Sequence, residues 1–223
     1  MELQNNERLP LELTSQLVAI MTTEHYTLQT GRSMTIAEAN GRASLFVGAV
    51  SSGLVALAFV GQLSHLGTAF FVFSLVVLPT LLFMGVITFE RVLQSGSADV
   101  IYARGINRIR HLYLDYAPQM QPYFILSSHD DSSLPIENLG ARHRARWQVF
   151  LSMAGMMAMI NSVLAGSFVG LLLAAFSLPL VVTASAGGVT FLASVGLHQR
   201  YQWRQWMQLE RHLPVLFPSQ PRE

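Results

Sequence analysis

The sequence contains no cysteine and no lysine; all 14 of its basic residues are arginine. The missing thiols exclude disulfides, a thiol nucleophile and any thiolate metal site. Charge of either sign is scarce, at 12% of 223 residues, against about 25% in an ordinary soluble domain. The scarcity is also patterned. No Asp, Glu, Lys or Arg occurs from Ala43 to Phe89, and none from Trp147 to Gln199. Each of these blocks is about twice the roughly 20 residues that an α-helix needs to cross a bilayer. The polar remainder is too small to shield two such blocks from water. The composition therefore predicts an all-α integral membrane protein whose principal partner is the lipid bilayer.

What is present divides the blocks. Gly, Gln, Ser and His cluster in "GQLSHLGT" (61–68), which predicts helices at 43–61 and 67–89. The second block breaks at "AAFSLP" (174–179), where Pro179 suits a helix start because its missing N–H costs nothing there. Helices are expected at 147–173 and 178–198. The four transmembrane helices would form two hairpins, 43–89 and 147–198. A cytoplasmic N-terminal helix segment (1–42), a connector (90–146) and an interfacial tail (199–223) complete the plan.

Arginines lie only outside the hairpins, at 8, 32, 42, 91, 104, 108, 110, 142, 144, 146, 200, 204, 211 and 222. Basic residues mark the cytoplasmic side, so both termini and the connector are expected there, in a membrane of bacterial inner-membrane type. Trp147, Tyr201, Trp203 and Trp206 stand at the block edges as interface anchors. Residues 1–42 lack the early apolar core of a secretory signal, so the first block is expected to act as its own insertion signal.

The connector opens with "YARGINRIRHLYLDYAP" (102–118). Its apolar positions Val100, Ile101, Ile106, Ile109, Leu112 and Tyr113 recur at helical spacing and predict a helix continuing the second span inward until Pro118. Arg104 and Arg108 are placed one turn apart on another face, and with Arg110 are the candidate contacts for anionic lipid or a small anionic ligand. His111 and Asp115 form an i, i+4 pair. Residues 11–42 also read as a helix, capped at Thr14 or Ser15, with Leu13, Leu17, Ile20 or Met21, and Leu28 facing the connector. Residues 118–141 read as a loop. Residues 198–213 read as an amphipathic tail helix lying at the interface.

Chemistry is hard to find. Coupled transporters and pumps place ionisable residues inside the membrane, and these spans hold no Asp, Glu, Lys or Arg. Asn161 is the most polar mid-span residue, suited to packing or to lining a pore. Gly166 and Gly170 form a GxxxG pair, Gly48 and Ser52 a second small pair. Thr183, Gly187, Thr190 and Ser194 make a stripe on the last span, again suited to packing or a pore. "SSHDDSS" (127–133) has no companion ligand motif and reads as a solvated loop. No nucleophile elbow, zincin, Walker or kinase element occurs. An enzyme is not expected, nor a cofactor, a metal or a nucleic-acid partner. The two halves share one plan and one orientation, unlike the inverted repeats of secondary transporters.

The stretch "YARGINRIRHLY" after a two-helix hairpin resembles the juxtamembrane helix of the RipA-like and SLATT-like groups of small bacterial membrane proteins, over about residues 40–115. Ile106, Asn107, Ile109 and Arg110 would correspond to the shared helix. The resemblance implies a homo-oligomer and a pore-forming effector role in nucleotide-triggered defence. The chain departs from those groups in its second hairpin. Two function classes follow: an oligomeric channel-like or membrane-perturbing effector answering a cytoplasmic signal, or a non-conducting scaffold that binds a cytoplasmic protein through residues 11–42 and 92–117.

Overall fold

The structure, a computed structural model, describes residues 14–131 and 152–219. Among these residues every regular element is helical: α1 (Ser15–Leu63), α2 (Thr68–Tyr116), a 3-10 turn (Pro118–Tyr123), α3 (Met153–Ala175) and α4 (Leu180–His212). All four α-helices are long and apolar enough to cross a membrane.

α1 begins where the Thr14 hydroxyl accepts from the Leu17 amide at 3.2 Å, satisfying one of the free N–H groups of the first turn. It then runs 49 residues without a break. The sequence divides this stretch into a polar helix and a span, but nothing between Asn40 and Ala43 stops a helix. α2 is equally long, about 73 Å at 1.5 Å per residue, and fuses the second span to the basic helix. Pro79 sits inside it, which removes one backbone bond without ending the helix.

The turns are tight. Between α1 and α2, His65 and Leu66 take φ of 47° and 57°, and the Leu66 amide reaches back to the Gly61 carbonyl at 3.0 Å. Between α3 and α4, Ser177 has φ 60°, and Pro179 is the N-cap residue of α4. The expected interfacial tail helix is not a separate element. α4 continues straight from its apolar half to His212, because no Gly or Pro interrupts "HQRYQWRQWMQLERH".

α1 packs along α2, α2 along α3, and α3 along α4. The apolar core draws on the first three helices, with Phe46, Leu78, Leu81, Met157, Ala158 and Leu164 all buried. Large apolar residues such as Leu45, Phe83, Val181 and Leu192 face outward, an arrangement suited to lipid. At the polar ends of α1 and α2, Arg32 pairs with Asp99 at 2.6 Å and His25 stacks on Tyr113.

Candidate functional site

The basic helix is the polar end of α2, and its arginines have different fates. Arg104 does not lie apart from the apolar face; it is buried with Val100, Ile106, Asn107 and Ile109. Its Nη2 donates to both carboxylate oxygens of Glu210 at 2.6 and 2.7 Å, and its Nη1 to the Leu213 carbonyl at 3.0 Å. The Arg104 side chain is 3% exposed. An enclosed guanidinium needs such a match, because an unpaired buried charge costs several kcal/mol, about 3–5 when one partner is removed. Arg108 donates from Nε to Asp130 at 2.6 Å and from Nη2 to the Pro214 carbonyl at 2.5 Å. Arg110 donates to Asn107 Oδ1 at 2.9 Å. Burial first, then the charge of Arg32, lower the Arg110 pKa. Burial and the Arg110 charge likewise lower that of His25.

The same arginines hold the end of the chain. After α4, residues 213–219 fold back over α2 as a strap. Asp130, fully buried, accepts from the Leu216 amide at 3.1 Å and the Phe217 amide at 2.8 Å. In return its own amide donates to the Phe217 carbonyl at 3.1 Å. Asp131 accepts from the amide and the hydroxyl of Ser219, and His111 stacks on Phe217 at 4.1 Å. Burial by itself would raise the Asp130 pKa. The Phe217 amide, the Arg108 guanidinium and the Leu216 amide outweigh it together and hold the carboxyl below its ordinary value. The "HDD" stretch is therefore no solvated loop as far as Asp131: it is the clamp that locks the strap. Residues 132–141 lie outside the described residues. The sequence carried no local signal for the clamp, since its partners stand 86 and 87 residues away.

Several small and polar residues of α3 and α4 meet where the two helices cross. Gly166 and Gly187 face each other so closely that a Cβ on either would lie 2.8–2.9 Å from the other's carbonyl oxygen. Gly170 touches the same crossing, and a Cβ there would meet the Thr183 carbonyl oxygen at 3.5 Å. Thr183 is buried. The Thr190 hydroxyl donates to its own helix, at the Ala186 carbonyl. The Ser194 hydroxyl accepts from Ser162 across the pair at 3.0 Å. Asn161 is completely buried. Neither its Oδ1 nor its Nδ2 has a hydrogen-bond partner.

Tyr201, Trp203 and Trp206, expected as interface anchors, lie on the polar half of α4, and Trp203 is 45% exposed. Trp203 and Trp206 border a cleft that α1, α2, the start of α3 and α4 share. Trp147 lies outside the described residues. No group of three or more His, Cys, Asp or Glu able to hold a metal occurs among the described residues.

The distal end of the α1–α2 pair is apolar. Leu17, Met21, Tyr113, Tyr116 and Phe124 line a groove there. Beside it Tyr123 is 76% exposed and Ile125 98% exposed. Sequence reading passed over this patch because its members come from α1, α2 and the following turn. No protein-family model, curated protein or solved structure matches the chain.

Proposed function

We propose that this protein is a multi-pass membrane scaffold that holds a rigid helical arm in the cytoplasm and engages a partner protein with the arm's distal end. The polar part of α1, from Ser15 to Arg42, reaches about 40 Å past the span at 1.5 Å per residue. The patch around Tyr123 and Ile125 carries the reading. Apolar side chains that are 76% and 98% exposed, beside an apolar groove and outside the two long charge-free blocks, are the usual mark of a protein-binding surface. The arginine placement favours a cytoplasmic arm and a bacterial inner-membrane type of location.

The clamp supports the same reading. Arg104–Glu210 and Asp130–Phe217 join the arm to the end of α4, which makes the arm stiff. The residues best suited to lining a pore, Asn161, Gly166, Gly170, Thr183 and Gly187, are engaged in packing inside one chain, which favours a scaffold over a channel-like effector.

A photo-crosslinking side chain at Tyr123 tests the scaffold in intact cells. The expected result is one dominant adduct to another protein, lost on Ile125→Asp while helicity and membrane extraction stay unchanged. Purified protein in liposomes supplies the opposing test. Ion flux that grows with protein content and changes on substituting Asn161 would replace the scaffold with a channel.

A further inference from the structure

Trp203 and Trp206 border a cleft of about 320 Å³, a size at the low end of small-molecule sites. Ala39 of α1, Gly96 of α2, Ala154 of α3 and Gln202 of α4 all line it. Val92 and Ala154 in its wall are buried, whereas Ile36 and Trp203 are exposed, so the cleft reaches from the interior to the surface. A Cβ built on Gly96 meets nothing within 4 Å, which leaves bare backbone facing open space. The cleft is separate from the apolar groove at the arm's end, which begins about 20 Å farther along α2 at 1.5 Å per residue.

We infer that this cleft binds one uncharged, single-chain lipid whose hydroxyl headgroup donates to Gln202.

Four observations choose this occupant. The first is depth. Arg42, Arg91 and Arg200 are the first arginines beyond the charge-free blocks. The cleft residues of α1, α2 and α4 follow them toward the polar side, within about 12 Å at 1.5 Å per residue. That is where lipid headgroups meet the chain if the blocks span the bilayer.

The second is an unmet acceptor. Gln202 donates from Nε2 to Ser152 Oγ at 3.1 Å. With the amide held this way, its Oε1 is buried and has no partner. A buried acceptor in that state favours any ligand that brings a donor. The Thr35 and Ser97 hydroxyls make no such demand, since they donate to the Gly31 and Leu93 carbonyls of their own helices.

The third is charge. Asp99 is the one ionisable residue among the described residues of the lining. Arg32 engages both of its oxygens, from Nε at 2.6 Å and from Nη2 at 3.4 Å. The lining therefore offers no free cation to a phosphate or carboxylate and no free anion to an amine. The fourth is size, since the predominantly apolar volume has room for one chain and not for two. The inference rests on the membrane-spanning part of the reading above, which carbonate extraction of native membranes tests separately. The arm's partner enters none of the measurements below.

The purified full chain in nanodiscs is illuminated with a monoacylglycerol that carries a diazirine in its chain, and adducts are mapped by peptide mass spectrometry. Lysophosphatidate with the same chain adds a charged headgroup, and the fatty-acid methyl ester removes the hydroxyls. Monoacylglycerol is expected to label residues 35–40, 92–99 and 202–206 at ten or more times the yield of lysophosphatidate. Gly96→Phe and Ala39→Phe fill the cleft from two helices and should each lower that labelling at least tenfold with helicity unchanged. Gln202→Leu keeps the apolar wall and should erase the preference for monoacylglycerol over the methyl ester.

Labelling spread evenly over outward-facing positions such as Leu45 and Leu192 would overturn the inference. Equal labelling by lysophosphatidate, unchanged labelling in both filled variants, or a preference that survives Gln202→Leu would do the same.

Discussion

The amide of Asn161 occupies the space in front of Gly85 in which a larger side chain would have its Cβ. Phe46 closes the same site, with its ring tip 2.6 Å from that position. One glycine on α2 thus decides how closely α1, α2 and α3 meet.

Gly85→Ala is expected to lower stability by about 1–3 kcal/mol through overpacking. Asn161→Ala in the same chain should recover part of the loss, because it vacates the space. Thermal unfolding in detergent for the two single variants and the double variant checks this. Fully additive losses would show that the residues are not coupled.

The α3–α4 crossing makes a contrast between neighbouring glycines. Gly187→Ala drives a methyl to 2.9 Å from the Gly166 carbonyl oxygen, whereas a Cβ on Gly188 meets nothing within 4 Å. Gly187→Ala should cost about 1–3 kcal/mol, and Gly188→Ala should leave the melting temperature unchanged or raise it, since alanine is favoured over glycine inside a helix by up to about 1 kcal/mol. Equal shifts for the two would argue against the close crossing.

Removing the carboxylate that faces Arg104 tests the buried pair. Glu210→Gln leaves the guanidinium, 3% exposed, without a counter-charge and should destabilise the junction between α2 and the end of α4 by about 3–5 kcal/mol. Limited proteolysis reads this as earlier cleavage after α4. A protease pattern like that of the unaltered protein would mean that the charge is met elsewhere.

Asp130 gives the clamp a pH dependence whose sign follows from its lowered pKa. A carboxyl held below its ordinary value of 3.8 contributes stability that is complete above that value and disappears as pH falls through the folded one. Hydrogen exchange at the Leu216 and Phe217 amides should stay slow down to about pH 4 after correction for the intrinsic rate, then accelerate. Asp130→Asn should remove both the protection and the acid transition, as its amide cannot accept from two backbone N–H groups and Arg108 together. Protection that persists in Asp130→Asn would show that the strap is held by something else.

The amino-acid sequence alone determined the all-helical class and the four helices long and apolar enough to cross a membrane, because both follow from local patterning. Two charge-free blocks, each split by a short polar cluster, specify four apolar helices whatever surrounds them. Thr14 and Pro179 mark helix starts by chemistry confined to the first turn, a hydroxyl that accepts from the Leu17 amide in one case and a ring nitrogen without a hydrogen in the other. The continuation of α2 into the basic helix was legible for the same reason: the helical spacing never lapses between Phe89 and Tyr116.

Tertiary structure decided what the polar residues do. Arg104 and Arg108 look free when read along α2; the return of residues 210–217 supplies Glu210 and the Leu213 and Pro214 carbonyls, and Asp130 supplies the carboxylate for Arg108. Asp130 sits in a serine-rich stretch that resembles a solvated loop until the strap arrives to bury it. The GxxxG pair and the threonine stripe fit equally well into a pore or a helix crossing. The structure adds that Gly166 and Gly187 meet where α3 crosses α4, a contact that rests on distances between backbones and that no periodicity in the sequence encodes.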